Sequence, residues 1–175
     1  MIELTLSYLV KKIIINNERK KDNMGLFDIF KKNKSNLDSE RINKIAEEGN
    51  ELYKCGDLDN ALKKYFEGYN LIPNPKNIYS ESSWFEVAIG DIFFDNKNFK
   101  EALEYYEKSK NNITGNGINN PYILFKYGAS AFELGRNSLA NEFLLRAYML
   151  SGDDIFNDYD KKYFEFIKQN NKDIK

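Results

Sequence analysis

The stretch Glu47-Glu48-Gly49-Asn50-Glu51-Leu52-Tyr53-Lys54-Cys55-Gly56-Asp57-Leu58-Asp59-Asn60-Ala61-Leu62-Lys63-Lys64-Tyr65 reads as a helix that ends at Gly56, a tight turn through Asp57, and a second helix. Gly49 and Ala61 are small where two such helices would cross, so their backbones can approach closely. The unit recurs. Gly49, Gly90 and Gly128 are 41 and then 38 positions apart, and Ala61, Ala102 and Ala140 repeat the same two intervals. Two independent markers thus share one register, the signature of an array in which each unit buries its apolar face against the next.

Around these markers the second unit reads Ile89-Gly90-Asp91-Ile92-Phe93-Phe94 and Phe99 to Ser109. The third reads Tyr127 to Gly135 and Ser138 to Ala147. Large residues follow each helix-B alanine four later (Tyr65, Tyr106, Leu144), and small ones stand three beyond those (Gly68, Ser109, Ala147). In these features the chain resembles the tetratricopeptide repeats. Pro73 closes the first unit as that family's terminal proline does, whereas the second and third units lack it. The intervals also exceed the 34 residues usual in the family, which places insertions at Asn74 to Glu81 and Thr114 to Asn120. The resemblance implies an all-α, right-handed superhelical solenoid of antiparallel helix pairs. We place the pairs at about 42–75, 83–114 and 121–152 within an array spanning 39–152, before a C-terminal capping helix in 153–175.

The composition fits one compact array: 175 residues, 42% hydrophobic and 30% charged. A formal charge of −1 gives no electrostatic reason to expect nucleic acid as a partner. Histidine is absent, which removes His-based general bases and His-containing metal sites. The single cysteine, Cys55, cannot form an internal disulfide, in keeping with a reducing, cytoplasmic setting. It stands at a helix C-terminus, where the dipole disfavours a thiolate, and it is expected to be inert. Lys, Asn, Ile, Tyr and Phe, whose codons are AT-rich, are abundant and point to a bacterial source.

Residues 1–38 read as a loose tail, or as a mis-assigned start before the more natural opening Met24-Gly25-Leu26-Phe27-Asp28-Ile29-Phe30. The apolar run Leu4 to Ile15 is interrupted by Lys11-Lys12 and falls short of the ~20 residues a membrane span needs. Positive charge follows that run and no small-residue cleavage site is present, so it does not read as a signal peptide. Ile29 stands where a myristoylation motif wants Ser or Thr. Eight basic against five acidic residues up to Asp38 mark a solvated tail rather than a membrane-binding surface.

Along the array, Ser39 is the expected N-cap of the first helix, with Ile42, Ile45, Gly49 and Leu52 at helical spacing behind it. Helices are expected over Trp84 to Phe94, Phe99 to Lys110, Tyr122 to Leu134 and Asn137 to Leu150, with Pro73-Asn74-Pro75 stopping the first pair. Almost no β structure is expected. In the tail, Asp158 or Asp160 would cap a helix whose Tyr159, Tyr163, Phe164 and Ile167 share one face. Such a helix covers the array's exposed end, the alternatives being that it folds into the groove or docks on a second chain.

In the family, function lives on the concave face lined by the first helix of each pair. Carried over residue by residue, that register selects Asn50 and Tyr53 in the first unit, Trp84, Asp91 and Phe94 in the second, and Tyr122, Phe125 and Phe132 in the third. The resemblance therefore implies an aromatic groove for a protein or peptide, aromatic rings being frequent anchors of partners; the alternative is that these aromatics are only inter-repeat core or are covered by the chain's own tail. At the positions of the family's carboxylate clamp stand Ala46, Asn50, Ala88, Tyr122 and Lys126. Only Asn50 matches by type, so a bidentate cationic grip on an acidic tail is not expected. Asp91 with Asp95 one turn on, and Asp153-Asp154, could serve acid–base chemistry, but no phosphate loop, nucleophile elbow or metal spacing accompanies them. The reading is thus a non-enzymatic binding scaffold without catalytic residues, metal or cofactor. The tail Lys162 to Lys168 also resembles loosely some immunity proteins that neutralise toxins by direct binding, which is the specific alternative.

Overall fold

The structure, a computed structural model, describes residues 37–174. The readings on the start site, the Leu26 to Phe30 turn and lipidation lie outside the described residues. Among the described residues seven α-helices run: α1 (Ser39–Lys54), α2 (Leu58–Leu71), α3 (Ser80–Asp95), α4 (Phe99–Lys110), α5 (Pro121–Glu133), α6 (Asn137–Ser151) and α7 (Lys162–Asn170). No strand occurs among the described residues, and none of their helices is long and apolar enough to cross a membrane. Helices α1 and α2, α3 and α4, and α5 and α6 pack as antiparallel pairs, and each pair's second helix packs on the next pair's first.

Local chemistry sets the boundaries. Asp38, not Ser39, is the N-cap of α1: its carboxylate accepts the Arg41 N–H at 3.1 Å, and Ser39 is already helical. Either residue type suits a cap, and the carboxylate also complements the positive end of the helix dipole. Gly56 and Gly135 leave the first helices of their pairs with φ of 78° and 69°. The middle pair makes the same turn with Lys97 at φ 59°, a left-handed conformation that glycine adopts without penalty and lysine does not. Residues 56, 97 and 135 thus carry the repeat intervals a third time, unmarked in the sequence because one of the three is not glycine. Helix α3 begins at Ser80, ahead of the expected Trp84.

The crossing glycines have a more specific task than letting two backbones meet. A Cβ on Gly49 would stand 2.5 Å from the Tyr65 ring, and one on Gly90 2.8 Å from the Tyr106 ring. Each tyrosine, rising from the second helix, passes through the gap its glycine leaves and places its hydroxyl beside the next residue of the first helix. Tyr65 donates to Asn50 Oδ1 at 2.9 Å and Tyr106 to Asp91 Oδ1 at 2.6 Å. The third pair has Leu144 and Ala129 at the equivalent positions, and its crossing is apolar. Ala61, Ala102 and Ala140 are fully buried beside these crossings. Ala102→Leu should therefore wedge α3 from α4 and cost about 2 kcal/mol, read as a lowered midpoint in thermal unfolding; a wild-type midpoint would contradict the register.

The two insertions are tied to each other. Ile113 N–H donates to the Asn77 carbonyl at 2.8 Å. The buried Asn112 amide donates to Tyr79 O at 2.8 Å and to Ser82 Oγ at 2.9 Å, while its Oδ1 accepts from Thr114 N at 3.0 Å and Gly115 N at 2.8 Å. Residues in excess of a 34-residue unit are thus folded as a hydrogen-bonded clasp across the start of α3.

Candidate functional site

The concave face is lined by α1, α3 and α5, and its halves differ. Toward α5 it is closed by the chain's own tail. Phe125 is 0% exposed; its ring is packed by Phe156, Tyr159 and Tyr163 at centroid distances of 5.3, 4.3 and 5.7 Å. Phe132 is half-buried against Tyr163 and Phe166. The N-cap of α7 is Lys161, without a side-chain cap, rather than Asp158 or Asp160; Asp160, one residue earlier, accepts the Lys162 N–H at 3.0 Å, and Glu133 receives the Tyr163 hydroxyl and the Lys162 ammonium. On its other side α7 meets α6 through Phe164 on Tyr148 and through Asn171 on Asn141. Helix α7 therefore covers the end of the third pair, while Tyr159 lies over the groove side of α5. Of the aromatics expected on the groove wall, Phe125 belongs to the core and Phe132 to the contact with the tail. Helical periodicity shows which face a residue occupies but not what a later segment lays over that face.

At the middle of the groove, Asp91 is the hub of a closed polar cluster. Its Oδ1 accepts from Tyr106 at 2.6 Å and Tyr122 at 2.7 Å, and Lys126 Nζ approaches it at 3.4 Å. Burial raises the Asp91 carboxyl above the usual carboxylate range, with Lys126 and the two tyrosines acting against that shift. Lys126, 4% exposed, also lies 4.2 Å from the centroid of the Phe94 ring, which itself packs on Phe99. Phe94 and Tyr122 are half-buried within this cluster. Burial pushes the Tyr122 hydroxyl far above its ordinary value, so it stays a proton donor to Asp91. Asp95 accepts the Tyr53 hydroxyl at 2.6 Å. Both carboxylates of the Asp91–Asp95 pair are therefore already hydrogen-bonded by the chain. Among the described residues no grouping of His, Cys, Asp or Glu could hold a metal ion.

Among the described residues nothing covers the half toward α1. Trp84 is 41% exposed and Tyr53 36%. Three recesses meet at the Trp84 ring. One of 280 Å³ lies between α1 and α3 and is lined by Asn43, Glu47, Asn50 and Glu81 among others. A second, of 160 Å³, continues past Tyr53 to Asp91. The third, of 340 Å³, lies between α3 and α5 beneath Thr114 and Tyr122. The ring is held edge-on by Tyr65 at 5.6 Å and Phe85 at 5.0 Å, so its orientation is fixed before any partner arrives. Asn50, Tyr53, Trp84 and Asp91 thus stand together around one surface. Sequence reasoning passed over Glu47 and Glu81, although each lies three positions before a selected residue on its own helix, close enough to share that face.

This architecture, stacked helix pairs with a terminal helix over the last pair, is the fold of a tetratricopeptide-repeat domain. Among solved structures, the chain is similar to the TPR domain of Arabidopsis OM64, with a TM-score of 0.57 and 19% identity over 79% of this chain and 99% of that one. It is also similar to the C-terminal TPR-containing domain of an FK506-binding protein from Plasmodium falciparum, with a TM-score of 0.59 and 22% identity over 80% of this chain and 95% of that one. No protein-family model matches the sequence, and no curated protein matches it.

Proposed function

We propose that this chain is a non-enzymatic binding module that holds a segment of another protein in the open half of its concave groove, against Trp84, Tyr53 and Asn50. One observation carries the reading: a preoriented, substantially exposed tryptophan at the meeting point of three recesses. Burying such a ring supplies a large apolar contact area at little entropic cost, the usual character of a hot spot. The engagement of Asp91 and Asp95 by tyrosines and Lys126 supports a positioning role for these carboxylates over an acid–base one. The partner's register along the groove is then set by hydrogen bonds to Asn50, which lines the first two recesses and whose Oδ1 is held by Tyr65.

The test is capture of a partner on the tagged full chain, followed by titration of that purified partner. Trp84→Ala is expected to weaken binding at least about tenfold, with the helical circular-dichroism spectrum retained even though the loss of its packing on Tyr65 and Phe85 lowers the melting temperature. A partner that binds Trp84→Ala and Tyr53→Ala as tightly as wild type would overturn the reading. Phe125→Ala is not a suitable groove variant, since it would release the tail.

A further inference from the structure

The open recesses have a charge as well as a shape. Among the described residues no Lys or Arg lines any of the three, whereas Glu47 and Glu81 line the 280 Å³ recess and Asp91 the one beyond it. Lys126, the cation nearest the groove centre, is buried and committed to Asp91 and the Phe94 ring. Among the described residues neither Glu47 nor Glu81 has an ion-pair partner. An acidic ligand would meet only like charge here, and a purely apolar one would leave both carboxylates to be desolvated without compensation. A cation beside an exposed indole face gains from the ring quadrupole, more so as water is excluded.

From this complementarity we infer that the occupant is a lysine- or arginine-bearing segment of a partner protein, its cation seated on the Trp84 ring beside Glu47 and Glu81. The inference rests on the groove reading and adds the sign of the partner's charge. It is the opposite preference to that of a cationic clamp for acidic tails.

Trp84 is the only tryptophan in the chain, so its emission reports this site alone. The full chain is titrated with three end-capped peptides of equal length and apolar content, carrying lysine, glutamine or glutamate at the same positions. The lysine peptide is expected to shift Trp84 emission saturably, more tightly at low salt. Glu47→Gln with Glu81→Gln, conservative changes at accessible positions, should raise its Kd about tenfold. If the glutamine or glutamate peptide binds as tightly, or the double variant keeps wild-type affinity for the lysine peptide, the charge inference falls and the groove reading stands. Emission unmoved by all three peptides overturns the charge inference too, and the partner titration with Trp84→Ala then decides separately whether the groove is used.

Discussion

Asn112→Ala should be the most damaging single truncation outside the helix crossings, lowering stability by roughly 3–5 kcal/mol because several buried or half-buried groups lose their partner together. The amide bonds Tyr79 O and Ser82 Oγ on one side of the clasp, and its carbonyl oxygen gathers the N–H groups of Thr114 and Gly115 on the other. Alanine leaves those groups in place without the side chain that satisfies them. Asn112→Asp is the informative companion. It keeps an acceptor for the two amides but sets a carboxyl oxygen against Tyr79 O, so it should recover part of the loss only at low pH, where the carboxyl is protonated and can donate there. Denaturant unfolding monitored by circular dichroism measures both variants; a loss for Asn112→Ala no larger than that of a surface substitution would mean that the insertions are not joined as described.

The second large effect is a pH dependence centred on Glu86. This carboxyl is 3% exposed, between the first two helix pairs. The Tyr69 hydroxyl donates to its Oε1 at 3.0 Å, while among the described residues Oε2 has no hydrogen-bond partner. The groups facing it are Tyr69 from α2, Lys76 from the first insertion, and Tyr105 and Lys108 from α4. Burial raises its pKa from 4.5 to about 7, with Tyr69, Lys108 and Lys76 only partly opposing the shift. The native state therefore holds this proton more tightly than the unfolded chain does. The stabilisation is fully present below pH 4.5 and is lost as pH rises toward 7, by up to about 3 kcal/mol across that window. Glu86→Gln mimics the protonated form. It should match wild type near pH 4.5, exceed it at pH 8, and flatten the profile between. Parallel profiles for the two proteins would show that Glu86 is ionised at no such cost. Asp91, raised in the same direction, adds a residual slope that remains in the variant.

The fold class could be read from small residues because helix crossings constrain residue size directly: Gly49, Gly90 and Gly128 with Ala61, Ala102 and Ala140 sit where a larger side chain has no space. Features that depend on a partner distant in sequence were not legible. At Asn96-Lys97-Asn98 a turn could be read, but not its left-handed residue, which glycine announces in the other two pairs, and the Asn112 clasp joins residues some thirty positions apart. On the groove, the register carried over from the family resemblance selected Asn50, Tyr53, Trp84 and Asp91, which line one recess. The same register selected Phe125, because nothing in a periodicity reveals that Tyr159 and Tyr163 return to cover it. Asp91 was legible as a polar residue of the groove. Its tyrosine partners were not, since Tyr106 reaches it through the opening left by Gly90.

The central claim, that the open half of the groove is the working surface, is tested most directly by acrylamide quenching of Trp84 in the full chain, with and without the captured partner. The account predicts efficient quenching of the free protein and strong protection in the complex, with Glu47→Gln and Glu81→Gln weakening the protection in step with binding. A partner demonstrably bound while Trp84 stays as accessible as before would contradict it, and would place the binding surface elsewhere on the molecule.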